Sequence, residues 1–283
     1  MPTSLRTSLF LAPATAWFVC MLVLPLLVVV VFSFGERGAA GGWVPAFTLD
    51  NFTNLGSRWA AFRNTLVMAP LGTVLCLVIA YPLAYFLAIR ANPNWRTILL
   101  VLVIVPFWTS ILIRSYAWIF LLGGQGIPKL LDTLDLGNPR LLNTPFAVMV
   151  GIVYGYLPLM VFPIYVALEK LDKTLLEAAD DLGASPWRSF LQITLPMSMA
   201  GVATGSMLVF ILLMGEFLIP QLLGGGKVYF VGNALVDLFL QSRNWPFGSA
   251  VASALVLIML VTVTLYLRAT KRWAGGRDDV SMM

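Results

Sequence analysis

The chain has 283 residues, 59% of them hydrophobic and 11% charged, with a mean hydropathy of +0.88 and a formal net charge of +5. So much apolar surface cannot be hidden inside a water-soluble domain, so lipid must be the solvent for much of it. There is no histidine, which excludes Ser-His-Asp and Cys-His catalysis, HExxH zinc sites and histidine proton relays.

Six stretches are long enough to cross a bilayer, each crossing needing about 20 apolar residues. They fall at 9–34, 65–89, 98–122, 146–168, 197–222 and 247–267. The rest is loop, so one transmembrane domain over 1–283 is expected, without a separate soluble domain. The first apolar run is longer than the about 7–15 residues of a signal-peptide core and reads as a retained helix. Cys20 lies in this run and Cys76 in the second. They form no CxxC pair and read as packing residues without a disulfide.

With the N-terminus inside, the inner segments carry Arg6, Arg90, Arg96, Lys170, Lys173, Arg188, Arg268, Lys271, Arg272 and Arg277. The outer segments carry Arg37, Arg58, Arg63, Lys129, Arg140, Lys227 and Arg243. The basic excess sits in the tight loop 90–97 and in the C-terminal tail. By the positive-inside rule both termini and segment 169–196 are cytoplasmic. The positive charge therefore serves topology, and no nucleic-acid partner is expected.

Prolines 25, 70, 82, 106, 158, 163 and 220 are read as interruptions in the spanning helices, tolerated in membranes and able to act as hinges. Gly151-xxx-Gly155 and Gly201-xxx-Gly205 place small residues on one face of the fourth and fifth spans, which suits close helix packing. Gly224-Gly225-Gly226-Lys227 is a poor phosphate loop. Gln221 stands at the first Gly position of the motif and Val228 follows the lysine, so the segment reads as a turn.

Between the fourth and fifth spans the chain reads EAADDLGASPWRSFLQITLP, from Glu177 to Pro196. Two short helices are expected here. Gly183 suits the left-handed residue after the first. Ser185 can cap the second, with Pro186 at its first position. Leu195-Pro196 is expected to end that helix. The small Ala178 and Ala179 let another surface approach the backbone, Glu177 offers a charge, and Leu175, Leu176, Leu182, Trp187 and Phe190 offer apolar contact.

The spacing of Glu177, Ala178, Ala179, Gly183, Ile193, Leu195 and Pro196 resembles the EAA loop of the permease subunits of bacterial ABC importers. PFWTSILIRSYAWIFLL (Pro106–Leu122), GEFLIPQLLGG (Gly215–Gly225) and the run from Asn233 to Pro246 resemble permeases of spermidine/putrescine importers, the first of the two paired permeases best. The resemblance implies an all-α membrane protein of six transmembrane helices, with a cytoplasmic helix-turn-helix coupling loop between helices 4 and 5. It implies a multi-pass protein of the bacterial inner membrane. Its partners would be a second homologous permease, two ATPase subunits, an extracytoplasmic solute-binding protein and membrane lipid. No metal or cofactor is expected on this chain. ATP and magnesium would be held by the ATPase subunits, so the chain is a transport subunit and not an enzyme.

Ionisable residues inside spans cost about 2.5–3.5 kcal/mol each at mid-membrane and usually face a cavity or a partner. Glu216 has two readings: it draws a cationic solute, or it pairs with Arg114 at similar depth. Arg114 itself reads as a structural or gating charge, since an unneutralised guanidinium repels a polyamine. Trp108, Tyr116, Trp118, Tyr154 and Tyr156 are candidates to line the route by cation–π contact. The other solutes considered are an opine, an aminobutyrate-like compound and a phosphonate. The rival classes are an ion-coupled secondary transporter and a non-transporting scaffold. Neither gives a reason for the EAA pattern.

Overall fold

The computed structural model describes residues 3–275, and their side chains over 10–270. The extreme termini and the side chains of Arg6, Lys271, Arg272 and Arg277, which enter the charge argument, lie outside that set. The elements in chain order are α1 (Thr3–Phe18), α2 (Leu24–Ser33), β1 (Glu36–Arg37), β2 (Trp43–Val44), α3 (Asp50–Thr53), α4 (Trp59–Tyr85), α5 (Pro93–Trp108), α6 (Ile111–Leu122) and α7 (Ile127–Thr133). They continue with α8 (Pro145–Glu169), α9 (Thr174–Asp181), α10 (Pro186–Ser189), α11 (Leu195–Met214), α12 (Leu218–Leu223), α13 (Val231–Val236) and α14 (Trp245–Gly275).

Five helical segments are long and apolar enough to cross a membrane: Phe10–Ser33, Asp50–Arg90, Pro145–Glu169, Pro186–Met214 and Trp245–Thr270. A sixth forms if α5 and the following Ile111–Thr133 are taken as one broken span, bent by 90°. The bend falls at Thr109 and Ser110, both in extended backbone conformation. The Thr109 hydroxyl donates to the Pro106 carbonyl at 2.7 Å. Such local side-chain bonds compete with the helical ladder. The helix of the fifth span likewise stops at Met214, so Glu216 lies in a break before α12 rather than within a helix.

Helix starts follow local chemistry. Asn92, Thr144 and Ser185 each accept a backbone N–H within the first turn, from Asn94 (3.1 Å), Ala147 (3.3 Å) and Arg188 (3.4 Å), and each is followed by proline at the first helical position. The inner prolines behave differently from expectation. Pro70, Pro82, Pro158 and Pro163 sit inside unbroken helices. Leu195-Pro196 does not end the helix of α10 either: a π turn, Phe190–Thr194, carries it directly into α11. The same arrangement, a π turn at Val19–Val23 and then Pro25, joins α1 to α2. Widening the turn before proline accommodates its missing donor and its bulk.

The chain divides into two compact units. The first comprises Met1–Trp59 and Ala234–Val261. In it β1 and β2 form a short antiparallel hairpin. Trp43 stacks on Phe32 at 4.7 Å, and Phe32 stacks on Trp245 at 6.5 Å. Arg37 donates to the Ser242 carbonyl (2.6 Å), and Arg58 pairs with Asp237 (3.4 Å). Phe10–Val31 is largely exposed, Cys20 included, so Cys20 is not a packing residue within this chain.

The second unit comprises Ala60–Asn233 and Thr262–Met283. Its core is α8 against α11 and α4, with Cys76, Ala147, Ile152, Met160, Ile164 and Leu213 buried. Gly201 shows why these helices come so close. A Cβ there would lie 2.4 Å from the Pro163 carbonyl oxygen, so only glycine fits.

Candidate functional site

The segment between α8 and α11 is built from local bonds. Asp172 Oδ1 accepts the Thr174 N–H at 3.0 Å at the start of α9. That backbone bond, with help from the Thr174 side chain, lowers the Asp172 carboxyl below its ordinary value. The stability it contributes is therefore present above the ordinary carboxylate pKa and is lost as pH falls through the lowered one. At its other end α9 closes in a Schellman motif. The Ala184 N–H donates to the Ala179 carbonyl and the Gly183 N–H to the Asp180 carbonyl, both at 2.9 Å. Gly183 has φ +75°, and the space its Cβ would fill is empty. The glycine is thus required by backbone conformation and not by crowding within this chain. Ala179 and Ala184 are the two ends of one hydrogen-bonded turn, with Gly183 inside it.

Glu177 and Ala178 are exposed, while Ala179 is buried. Leu182 (88% exposed) and Trp187 (68%) stand out from the turn. Phe190 does not offer the free apolar contact expected of it. Its ring meets Tyr81 edge-on at 5.5 Å and Tyr85 at 6.4 Å, and it carries Trp187 stacked at 5.5 Å. It anchors the segment to α4. Ile193, Leu195 and Pro196 are half-buried members of the continuous helix leading into α11.

In the membrane region, Glu216 is buried. Its Oε1 accepts the N–H groups of Leu218 (2.8 Å) and Ile219 (3.2 Å), starting α12, and its Oε2 accepts the Tyr156 hydroxyl. The pair with Arg114 is not made. Among the described residues Arg114 has no ion pair, and its buried Nε and Nη1 have no hydrogen-bond partner. The Arg114 guanidinium carbon instead lies 5.9 Å from the ring centres of both Phe107 and Tyr154. Tyr154 in turn meets Trp118 edge-on at 5.6 Å. Of the candidate aromatics, Trp118 and Tyr154 come together beside Arg114. Tyr156 joins Glu216. Trp108 (81% exposed) and Tyr116 (60%) are exposed and do not join either group.

Residues 80–273 match the family described as binding-protein-dependent transport system inner membrane component. The chain belongs to this family. It is 42% identical over 261 residues to the spermidine/putrescine transport system permease protein PotB of Haemophilus influenzae, covering 90% of this chain and 91% of that one. It is 39% identical over 284 residues to PotB of Salmonella typhimurium, covering 99% of each. Among solved structures, a chain of a bacterial alginate ABC transporter, crystallised with an alginate pentasaccharide-bound periplasmic protein, superposes with a TM-score of 0.76 over 94% of each chain. At 18% identity, that likeness concerns the fold alone. The chain is therefore a multi-pass inner membrane permease of an importer family.

One cluster of this permease escaped the sequence reading, which used Arg96 only for topology. Arg96 pairs with Glu169 at 3.3 Å and donates to the carbonyls of Leu87 (3.0 Å) and Ala88. Glu169 also accepts the Tyr165 hydroxyl at 2.8 Å, and the guanidinium carbon lies 5.4 Å from the Tyr165 ring centre. One side chain thus closes the last turn after α4 and ties the start of α5 to the end of α8, next to α9. The available signal was Arg96 at the foot of a span with Glu169 as the last residue of another.

Proposed function

We propose that this permease translocates polyamines, spermidine or putrescine, into the cytoplasm. ATP hydrolysis occurs on separate ATPase subunits, and a second permease and an extracytoplasmic solute-binding protein complete the importer. The observation that carries the substrate reading is the 42% identity over 90% of the chain to a spermidine/putrescine permease. Both termini and segment 169–196 face the cytoplasm, in keeping with the basic inner loops.

In this reading Glu177, Ala178 and Gly183 present a rigid knob to the ATPase, with buried Ala179 seating it against the rest of the chain. Exposed Leu182 and Trp187 supply apolar contact, and the unbroken helix from α10 into α11 passes the push into the membrane. A rigid element with two arrangements is what such coupling requires. The aromatic faces of Trp118 and Tyr154 receive the ammonium groups by cation–π contact. Glu216 supplies negative charge at the break before α12, and Arg114 is a gating charge beside the Tyr154 and Phe107 rings.

The test is purification from native membranes followed by reconstitution. An ATPase subunit should co-purify. Its hydrolysis in proteoliposomes should rise with binding protein loaded with spermidine or putrescine, and not with an opine, an aminobutyrate-like compound or a phosphonate. Uptake driven by an ion gradient without any ATPase would overturn the reading.

A further inference from the structure

Exposed faces of α8 and α11 leave an apolar groove of about 660 Å³. It is lined by Phe162, Val166 and Lys170 on one side and by Met197, Ala200 and Thr204 on the other. Its floor is the close approach of Gly201 to Pro163 and Ala167. From Phe162 to Lys170 it follows eight residues of helix, about 12 Å. Phe162, Val166 and Met197 are exposed. In a bilayer, such a groove between spans does not stay empty, because a void forfeits the dispersion contacts of its walls. The material at hand is an acyl chain.

The end of the groove selects the headgroup. Lys170 is exposed, stands where α8 ends, and forms no ion pair among the described residues. Two acidic side chains next to it in sequence are engaged elsewhere. Glu169 is held by Arg96 and Tyr165, and Asp172 by Thr174. Lys173 follows within one turn. The ammonium charge at the mouth of the groove is therefore uncompensated by its neighbours, and basic pockets between spans near a membrane surface take anionic headgroups. The geometry points to a binding site for an anionic phospholipid, its acyl chain between α8 and α11 and its phosphate on Lys170. Through Lys170 the lipid would touch the chain just before α9.

The purified full chain, with the subunits that accompany it, is placed in bilayer nanodiscs containing a phosphatidylglycerol or a phosphatidylcholine probe with a photoreactive acyl chain. Segments 162–171 and 197–204 should be labelled about five-fold more by the anionic probe, as one lysine near the surface provides. Lys170→Gln should abolish that preference and Lys170→Arg should keep it. Ala200→Trp, which fills the groove, should remove labelling by both probes. If Ala200→Trp does not fold, the Lys170 pair carries the test alone. Equal labelling by the two probes, a preference that survives Lys170→Gln, or cross-linking of these segments to a protein chain in place of lipid would each overturn the assignment.

Discussion

The hydroxyl of Tyr156 on α8 donates to the carboxylate of Glu216, which at the same time accepts the first free N–H groups of α12 from Leu218 and Ile219. One buried acidic side chain thus fixes the helix break after α11 onto a neighbouring span. Asn233 reinforces the junction, donating to the Phe217 carbonyl at 2.7 Å and to Gln221 at 3.1 Å. Glu216 has a structural role whatever it does for the solute.

This separates the effects of two substitutions. Glu216→Ala strands the donors of Tyr156, Leu218 and Ile219, at about 1–3 kcal/mol for each buried unsatisfied group. It should lower both complex yield and melting temperature. Glu216→Gln keeps an acceptor oxygen, so yield should hold while polyamine uptake falls about tenfold or more. Because Arg114 is not paired with Glu216, Arg114→Gln should not rescue Glu216→Gln, and their effects on yield should add. A fall in yield for Glu216→Gln that Arg114→Gln reverses would show that the two charges do pair.

Gly183 adopts φ +75° in open space, so only conformation constrains it within this chain. Gly183→Asn, the other residue common at this position, should be tolerated. Gly183→Val should strain the turn, a left-handed residue costing an ordinary side chain about 1–2 kcal/mol. Pull-down of the ATPase and uptake should fall together for the valine variant, while the extracted chain keeps its helical circular dichroism. Normal pull-down and uptake for both variants would remove the coupling role from this turn.

Arg96 and Glu169 are unequal partners. Glu169 is partly exposed, so the ion pair itself is worth at most about 1 kcal/mol. Arg96 also satisfies two carbonyls where α4 ends. Thermal unfolding should therefore show a larger drop for Arg96→Gln than for Glu169→Gln, with Arg96→Lys between them. Equal drops would mean that the pair, and not the carbonyl contacts, does the holding.

The exposed Ser185, replaced by cysteine, reports topology. In intact cells a membrane-impermeant maleimide should leave Ser185→Cys unmodified, and permeabilisation should expose it. Ready labelling from outside would place the segment on the wrong face for an ATPase.

The local features of this permease were legible because each depends on a few consecutive residues. Apolar runs of sufficient length announce the spans. Ser185-Pro186 and Thr144-Pro145 announce helix starts, since a side-chain acceptor beside a residue without an N–H suits the first turn and no other. Gly183 announces a left-handed turn because only a residue without Cβ takes that backbone freely. Proline was the exception. The local rule that it stops a helix failed at Pro158 and Pro163, inside the unbroken α8, and at Pro196, where a π turn carries the helix on.

Tertiary structure decided everything that joins distant residues. Depth along the spans suggested Arg114 for Glu216, but depth says nothing about rotation, and the carboxylate turns to Tyr156 and α12. Trp118 and Tyr154 meet beside Arg114 where α6 packs on α8, while Trp108 and Tyr116 are left exposed. Arg96 finds Glu169 across 73 residues of chain because α5 and α8 are packed side by side. The sequence by itself determined which segments are apolar enough to enter the membrane and where the capped helices start, through hydrophobicity and backbone preference, but not the breaks at Thr109–Ser110 and after Met214. Which side chains share a buried site followed only from helix packing, because contacts between spans depend on rotation and approach that no local pattern encodes.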